Sequence, residues 1–211
     1  MADTKIIVIR HGETQWNIEG RWQGHEDSPL TKKGLRQAEA VAHSLRDFRI
    51  SVIYSSDLGR AFHTATIIAE TTGKTVIPDV RLRERHLGVF QGLTRPEMKE
   101  QLPAEFEKYQ NSDPDLVIPG GESARQRYDR SIRCFNEIAE KHLGETIVVV
   151  SHGGVINGLF RYVIGLPLEA PRMFKLWNAG INAFSYSNRT WELHTFGDIN
   201  HLSRMGSMDD A

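Results

Sequence analysis

Residues 146–150 read Thr-Ile-Val-Val-Val and run straight into Ser151-His152-Gly153-Gly154. A β-branched run with no polar alternation is buried on both faces, as in an interior parallel strand. A second such run, Ile6 to Ile9, meets Arg10-His11-Gly12-Glu13-Thr14. Parallel strands need crossover helices, and the intervening chain supplies them. Thr31 can cap a helix reaching about Phe48, with Leu35, Ala38, Ala42, Leu45 and Phe48 on one stripe. Ile50 to Tyr54 reads as a strand. Asp57 is expected to cap a helix that turns Leu58, Ala61, Ala65 and Ile68 inward and ends at Gly73. A third strand is expected over 75–80. Glu122 to Leu143 is amphipathic, with Ala124, Tyr128, Ile132, Phe135, Ala139 and Leu143 facing the core. Gly153 to Ile164 reads as a helix stopped by Gly165 and Pro167, and 173–196 as strands separated by turns. Prolines 96, 103, 114 and 119 break residues 81–121 into short helices. The expected fold class is α/β, a three-layer α/β/α sandwich around a mostly parallel sheet. One catalytic domain is expected over 1–202, with a small helical lid insertion at 94–121 and a disordered tail at 203–211.

At 211 residues the chain fits one domain with a sizeable core. A formal net charge of −1 gives no global attraction to nucleic acid or anionic membrane, so any anion must be held locally. The single cysteine, Cys134, excludes an intrachain disulfide and a multi-cysteine zinc site. The apolar run near the amino end is too short for a signal peptide, and no run approaches the ~20 residues of a membrane span. A cytoplasmic location is therefore expected, and Asn188-Arg189-Thr190 is read as a chance glycosylation pattern.

In open α/β sheets, ligands bind beyond the carboxyl ends of the strands. Both His-Gly pairs are predicted to fall there. Phosphoryl transfer without a metal needs fixed donors for the equatorial oxygens, an in-line nucleophile and an acid for the departing oxygen. Imidazole, with an unperturbed pKa of roughly 6.5, can attack as the neutral base. Arg10 adjoins His11, Arg60 opens the second long helix, and Glu84 within Arg81-Leu-Arg-Glu-Arg-His86 has the most cationic surroundings of any carboxyl group.

The pattern Arg-His-Gly-Glu-Thr-x-x-Asn at 10–17 resembles the histidine phosphatase superfamily, in its phosphoglycerate-mutase-like branch. So do Ser55-Ser-Asp-Leu-Gly-Arg60 with Thr64-Ala65, Leu82-Arg-Glu84 followed by Gly88 and Gly92, Gly121-Glu-Ser123 and Ser151-His-Gly153. Gly197-Asp-Ile-Asn-His-Leu202 resembles the ending of broad-specificity phosphatase members. The resemblance implies that His11 is phosphorylated and that Arg10, Arg60 and His152 hold the phosphoryl oxygens, His152 adding positive charge if protonated. It makes Glu84 the acid and then the base. Asn17, Gly24, Arg21, His86 and Gly153 are implied as substrate-binding positions, with no metal and no cofactor. Gly12 and Gly153 are read as allowing close backbone approach.

Of the nine histidines, His43, His63, His142, His194 and His201 are read as packing or solvent-facing, whereas His25 and His86 flank the site. Glu13 competes with Glu84 for the acid role, and Cys134, lacking a Cys-x5-Arg cradle, is read as inert. No Asp-x-Asp pair at a strand end, metal-ligand spacing, nucleotide loop or Gly-x-Ser-x-Gly elbow is found.

A phosphatase acting on small-molecule phosphomonoesters, sugar or carboxylic-acid phosphates, is the preferred reading. A phosphoglycerate mutase with the same phosphohistidine chemistry is the alternative, and it would require a phosphorylated glycerate primer. Between 94 and 118 the chain carries three cations against six anions, a polarity that disfavours a phosphorylated carboxylate beneath the lid. The longer insertion and arginine pair of the dedicated mutases are missing, although Glu84-Arg-His-Leu-Gly88 resembles their motif. A third reading is a catalytically silent phospho-ligand binding module. Expected partners are a small-molecule phosphate ester and a second copy in a homodimer, with no nucleic acid and no membrane.

Overall fold

A computed structural model describes residues 3–110 and 113–205. Six strands form one sheet in the order β3-β2-β4-β1-β5-β6: β1 (Thr4–Arg10), β2 (Ile50–Ser55), β3 (Val76–Pro78), β4 (Thr146–Ser151), β5 (Ile181–Ser187) and β6 (Thr190–Asp198). The first four pair in parallel, while β5 runs antiparallel to β1 and to β6. The sheet is mixed, with a carboxyl-terminal hairpin on one edge. Asn188 and Arg189 both take positive φ at its two-residue turn, the geometry that matches strand twist.

Alternation along the central strands decides the layers. Ile6 and Val8 of β1, with Ile147 and Val149 of β4, pack on one side against α6 (Ala124–Lys141) and α7 (Gly153–Ile164). Ile7, Ile9, Val148 and Val150 pack on the other side against α2 (Lys32–Leu45) and α3 (Gly59–Thr72). Each such side chain, fully buried, contributes about 1.5–3 kcal/mol. The expected three-layer sandwich is the fold.

Helix ends differ from expectation where capping or burial decides. Thr31 caps α2 through the Gly34 amide, but the helix ends at Leu45 and Phe48 is exposed. Ser123 and Gln126 form a capping box on α6, which stops at Lys141 and leaves Leu143 exposed. Asp57 does not cap α3. Its carboxylate is held by Arg83, and the free amides of Gly59 and Arg60 donate instead to Asp27. A carboxylate thirty residues upstream thus does the capping, which no local pattern reveals.

Over the carboxyl edge of the sheet, the short α1 (Gln15–Glu19) follows β1. The lid, α4 (Arg95–Gln101) and α5 (Pro103–Gln110), closes on its own core of Leu87, Phe90, Met98, Phe106 and Ile118. Residues 200–205 form a 3₁₀ helix, so the expected tail is ordered at its start, and 206–211 lie outside the described residues. Among the described residues, no helix is long and apolar enough to cross a membrane.

Candidate active site

Parallel pairing of β1 with β4 puts Arg10 opposite Ser151. The next residues, His11 and His152, therefore leave the sheet side by side. Both rings are buried, with centroids 5.3 Å apart. His11 is fixed from behind: its amide donates to Ser151 O, and its own carbonyl accepts from Ala179 N and from Asn178 Nδ2. The following turn can pass only because it is glycine. A Cβ on Gly12 would lie 2.5 Å from the Gly34 carbonyl.

A hydrogen-bond partner that can only accept assigns the tautomer of His11. Nδ1 of His11 lies 2.8 Å from Gly12 O. A carbonyl only accepts, so Nδ1 carries the hydrogen and Nε2 keeps its lone pair. Nε2 of His152 meets Ser56 Oγ at 2.8 Å, and that hydroxyl accepts from Leu58 N. A serine hydroxyl can donate to Nε2 or accept from it, so this contact fits either tautomer of His152. Among the described residues the buried Nδ1 of His152 has no partner, nor do Nε of Arg10 and Nε of Arg60. Buried polar nitrogens without partners are costly, and Arg10 and Arg60 line the cleft beside His11, where an oxyanion would find their charge.

Arg10 is held by the Leu176 carbonyl. Burial pulls its pKa down to about 10, leaving it cationic at neutral pH. Arg60 is anchored by Asp27, Glu26 O and Gly24 O. Burial, then the charges of Arg60 and Arg10, hold His11 well below the ordinary imidazole value; burial, then Arg60 and His11, do the same for His152. Burial and the neighbouring guanidinium charges disfavour a proton on either ring of the unliganded protein, so the arginines carry the charge of the site before substrate arrives.

Glu84 reaches the same space from the 81–86 segment. Its carboxylate accepts from Arg85 N and Gly154 N, while its backbone carbonyl is held by His25 and Arg130. A Cβ on Gly154 would lie 2.1 Å from Glu84 Oε1. Gly153 has only ordinary contacts at 3.6 Å, so Gly154 is the position that demands glycine. Glu13 also lines the cleft, with Thr31 and Lys33 on its two oxygens.

The other expected residues divide. Asn17 and Gly24 line the cleft; Asn17 Oδ1 caps α1, and Gly24, at φ +56°, presents its carbonyl to Arg60. Arg21 also lines it, but its guanidinium is consumed by Glu97, Glu19 and Gly92 O. It ties the loop to the lid rather than offering a free donor. His86 does not line the cleft; its Nδ1 accepts from Gly88 N and its ring packs on His25. Asn178, Arg127 and Arg130 were missed, each reaching the site from a helix or loop with no local motif. Among the described residues, no group of three His, Cys, Asp or Glu side chains could hold a metal ion.

The cleft, about 1020 Å³, is lined by eight cationic side chains (Arg10, Arg21, Arg60, Arg85, Arg95, Arg127, Arg172, Lys175) and four carboxylates (Glu13, Glu84, Asp113, Glu169). The acidic lid is thus a poor guide to polarity. Of its six acids only Asp113 faces the cleft, Glu97 being paired with Arg21 and Asp115 with Arg125. A second hollow, about 1220 Å³, lies around Lys5, Thr146 and His194 and contains neither His11 nor His152.

Buried neutral histidines make stability pH-dependent. The unfolded chain protonates each imidazole near pH 6.5, and the native state does not, so stability falls as pH drops below that value. His11 and His152 should together cost up to about 2.7 kcal/mol per pH unit, with His25 and His201, also lowered by burial, acting in the same direction. Urea denaturation at pH 7, 6 and 5 should show a falling midpoint, with a shallower fall in His152→Asn. An unchanged midpoint would show the rings to be charged in the native state.

The histidine phosphatase superfamily (branch 1) model matches residues 6–199. The chain is 44% identical to phosphoglycerate mutase-like protein 4 of Arabidopsis thaliana, covering 98% of this chain and 90% of that protein. It is 41% identical to an Arabidopsis thaliana metal-independent phosphoserine phosphatase, covering 96% and 85%. Among solved structures, Bacillus stearothermophilus YhfR superposes with a TM-score of 0.87 at 32% identity, covering 95% of this chain and all of that one. A mycobacterial glucosyl-3-phosphoglycerate phosphatase superposes at 0.81 with 33% identity, covering 92% and 98%.

Proposed function

Because the chain belongs to the histidine phosphatase superfamily, we propose that this enzyme is a metal-independent phosphatase of small-molecule phosphomonoesters, sugar or carboxylic-acid phosphates, working through a phosphohistidine at His11. One observation carries the reading: His11, its Nδ1–H tied to the Gly12 carbonyl and Nε2 left with its lone pair, lies beside His152 and lines the same cleft as Arg10 and Arg60. Arg10, Arg60 and His152 donate to the phosphoryl oxygens, whose charge spreads as the P–O bond breaks. Asn17 adds a donor at the cleft wall. Glu84 gives its proton to the leaving oxygen; as carboxylate it then takes one from the water that cleaves the P–N bond. The relatives named as phosphatases support this direction of transfer.

The cationic cleft also suits a mutase, which must hold a highly anionic intermediate. Phosphate release measured against isomerisation, on a panel of phosphorylated acids and sugars, separates the two. Turnover of p-nitrophenyl phosphate should be unchanged by excess EDTA. Loss of turnover on chelation would remove metal independence, and neither turnover nor phosphoenzyme would leave only a phospho-ligand binding module.

A further inference from the structure

Glu84 sits in a stretch without regular structure, since residues 83–87 belong to neither helix nor strand. A backbone carbonyl withdrawn from water must still find a donor, and no ladder supplies one here. Arg130, in the second turn of α6, does so. Its Nη1 donates to Arg81 O and to Arg83 O, each at 2.8 Å, and its Nη2 to Glu84 O at 2.7 Å. The other Nη2 hydrogen and the Nε hydrogen meet the two carboxylate oxygens of Glu122, at 2.6 and 3.1 Å. Every guanidinium hydrogen is thereby used. Glu122 extends the tie, its Oε1 accepting from His86 N and its own amide donating to His86 O. The 81–86 segment is thus fastened to the start of α6 by side chains only 19% and 18% exposed.

One of these bonds bears directly on the acid. The Glu84 carbonyl and the Arg85 N–H belong to the same planar peptide group. Its carbonyl end is held by Arg130 and by His25 Nε2 at 2.9 Å. Its N–H end donates to Glu84 Oε1 at 2.8 Å, while Gly154 N holds Oε2 at 2.7 Å. The tilt of this peptide therefore decides where one carboxylate oxygen lies, and Arg130 fixes the tilt. Lysine could not do the same, because an ammonium offers three rotatable donors from a single point in place of a rigid fork.

We propose that Arg130 is a positioning residue, which keeps the Glu84 carboxyl group in place for proton transfer by fixing the peptide that orients it. The proposal rests on the acid role of Glu84 in the phosphatase reading. Its signature is selective: steps that need the proton slow, and steps that do not need it are spared.

The decisive comparison sets kcat/KM for glycerol 3-phosphate, whose alkoxide cannot leave unprotonated, against that for p-nitrophenyl phosphate, whose nitrophenolate can. Arg130→Met should lower the first by about 10–100-fold, the scale of a catalytic group displaced by ~1 Å, and the second far less. Arg130→Lys should fall between Met and wild type. Added to Glu84→Gln, Arg130→Met should slow the alkyl ester no further, because no acid remains to be positioned. Equal falls on both esters, or a full additional fall in the double variant, would make Arg130 a purely structural residue and overturn the proposal. If the Met variant fails to fold, the Lys variant decides, and a wild-type ratio of the two esters there also overturns it. Equal slowing of both esters by Glu84→Gln alone would instead remove the acid role, and the positioning role with it.

Discussion

Replacing Glu84 by Gln should slow hydrolysis of alkyl phosphates by about 10²–10⁴-fold, the range of a positioned general acid, and slow p-nitrophenyl phosphate far less. An alkoxide is too basic to leave without a proton, whereas nitrophenolate is stable unprotonated. The carboxylate is well placed for this asymmetry: two backbone amides orient it, and Gly154 clears the space beside it. Glutamine keeps the shape and can still accept from one of those amides, but it cannot give up a proton in the same way. Steady-state rates across a series of leaving groups would show a steeper dependence on leaving-group pKa in the variant. Equal slowing of both ester types would assign Glu84 to positioning alone.

His11→Ala should lower turnover by at least about 10⁴-fold, since removing a nucleophile leaves only the residual catalysis of oriented donors. Folding should survive. Truncation removes one hydrogen bond, to Gly12 O, and relieves a buried neutral imidazole, while the backbone ties of His11 to Ser151, Ala179 and Asn178 are independent of its side chain. Single-turnover quench-flow, alongside circular dichroism of the variant, checks both halves. Substantial activity in a folded His11→Ala protein would move the nucleophile elsewhere.

Much of this was legible in the chain because it is encoded locally. The runs at 6–9 and 147–150 are apolar on both faces, and a sheet with helices on either side is the only way to bury both. The histidines follow those strands directly, so adjacency of β1 and β4 brings them together. Thr31, Ser123 and Gly165 mark helix ends through their own side chains or φ angles. What escaped depends on distant partners. Asp27 caps α3 and anchors Arg60 from another loop. Arg21, read as substrate-binding, is taken up by a lid glutamate 76 residues away. The lid's acidity misled because ion pairs and orientation, not composition, decide which charges face the cleft. Arg127 lies off the amphipathic stripe of its helix, and its partner, the Gly154 carbonyl, belongs to a helix far away in the sequence.

The central claim is that phosphorus passes through nitrogen at position 11. Rapid mixing with substrate, quenching in base and mapping of peptides by mass spectrometry tests it directly. The expected result is one added phosphoryl group on the peptide containing His11, stable in base and lost in acid, and absent from His11→Ala. A phosphoryl group on a serine or carboxylate, or turnover with no phosphoenzyme at any time point, would contradict it.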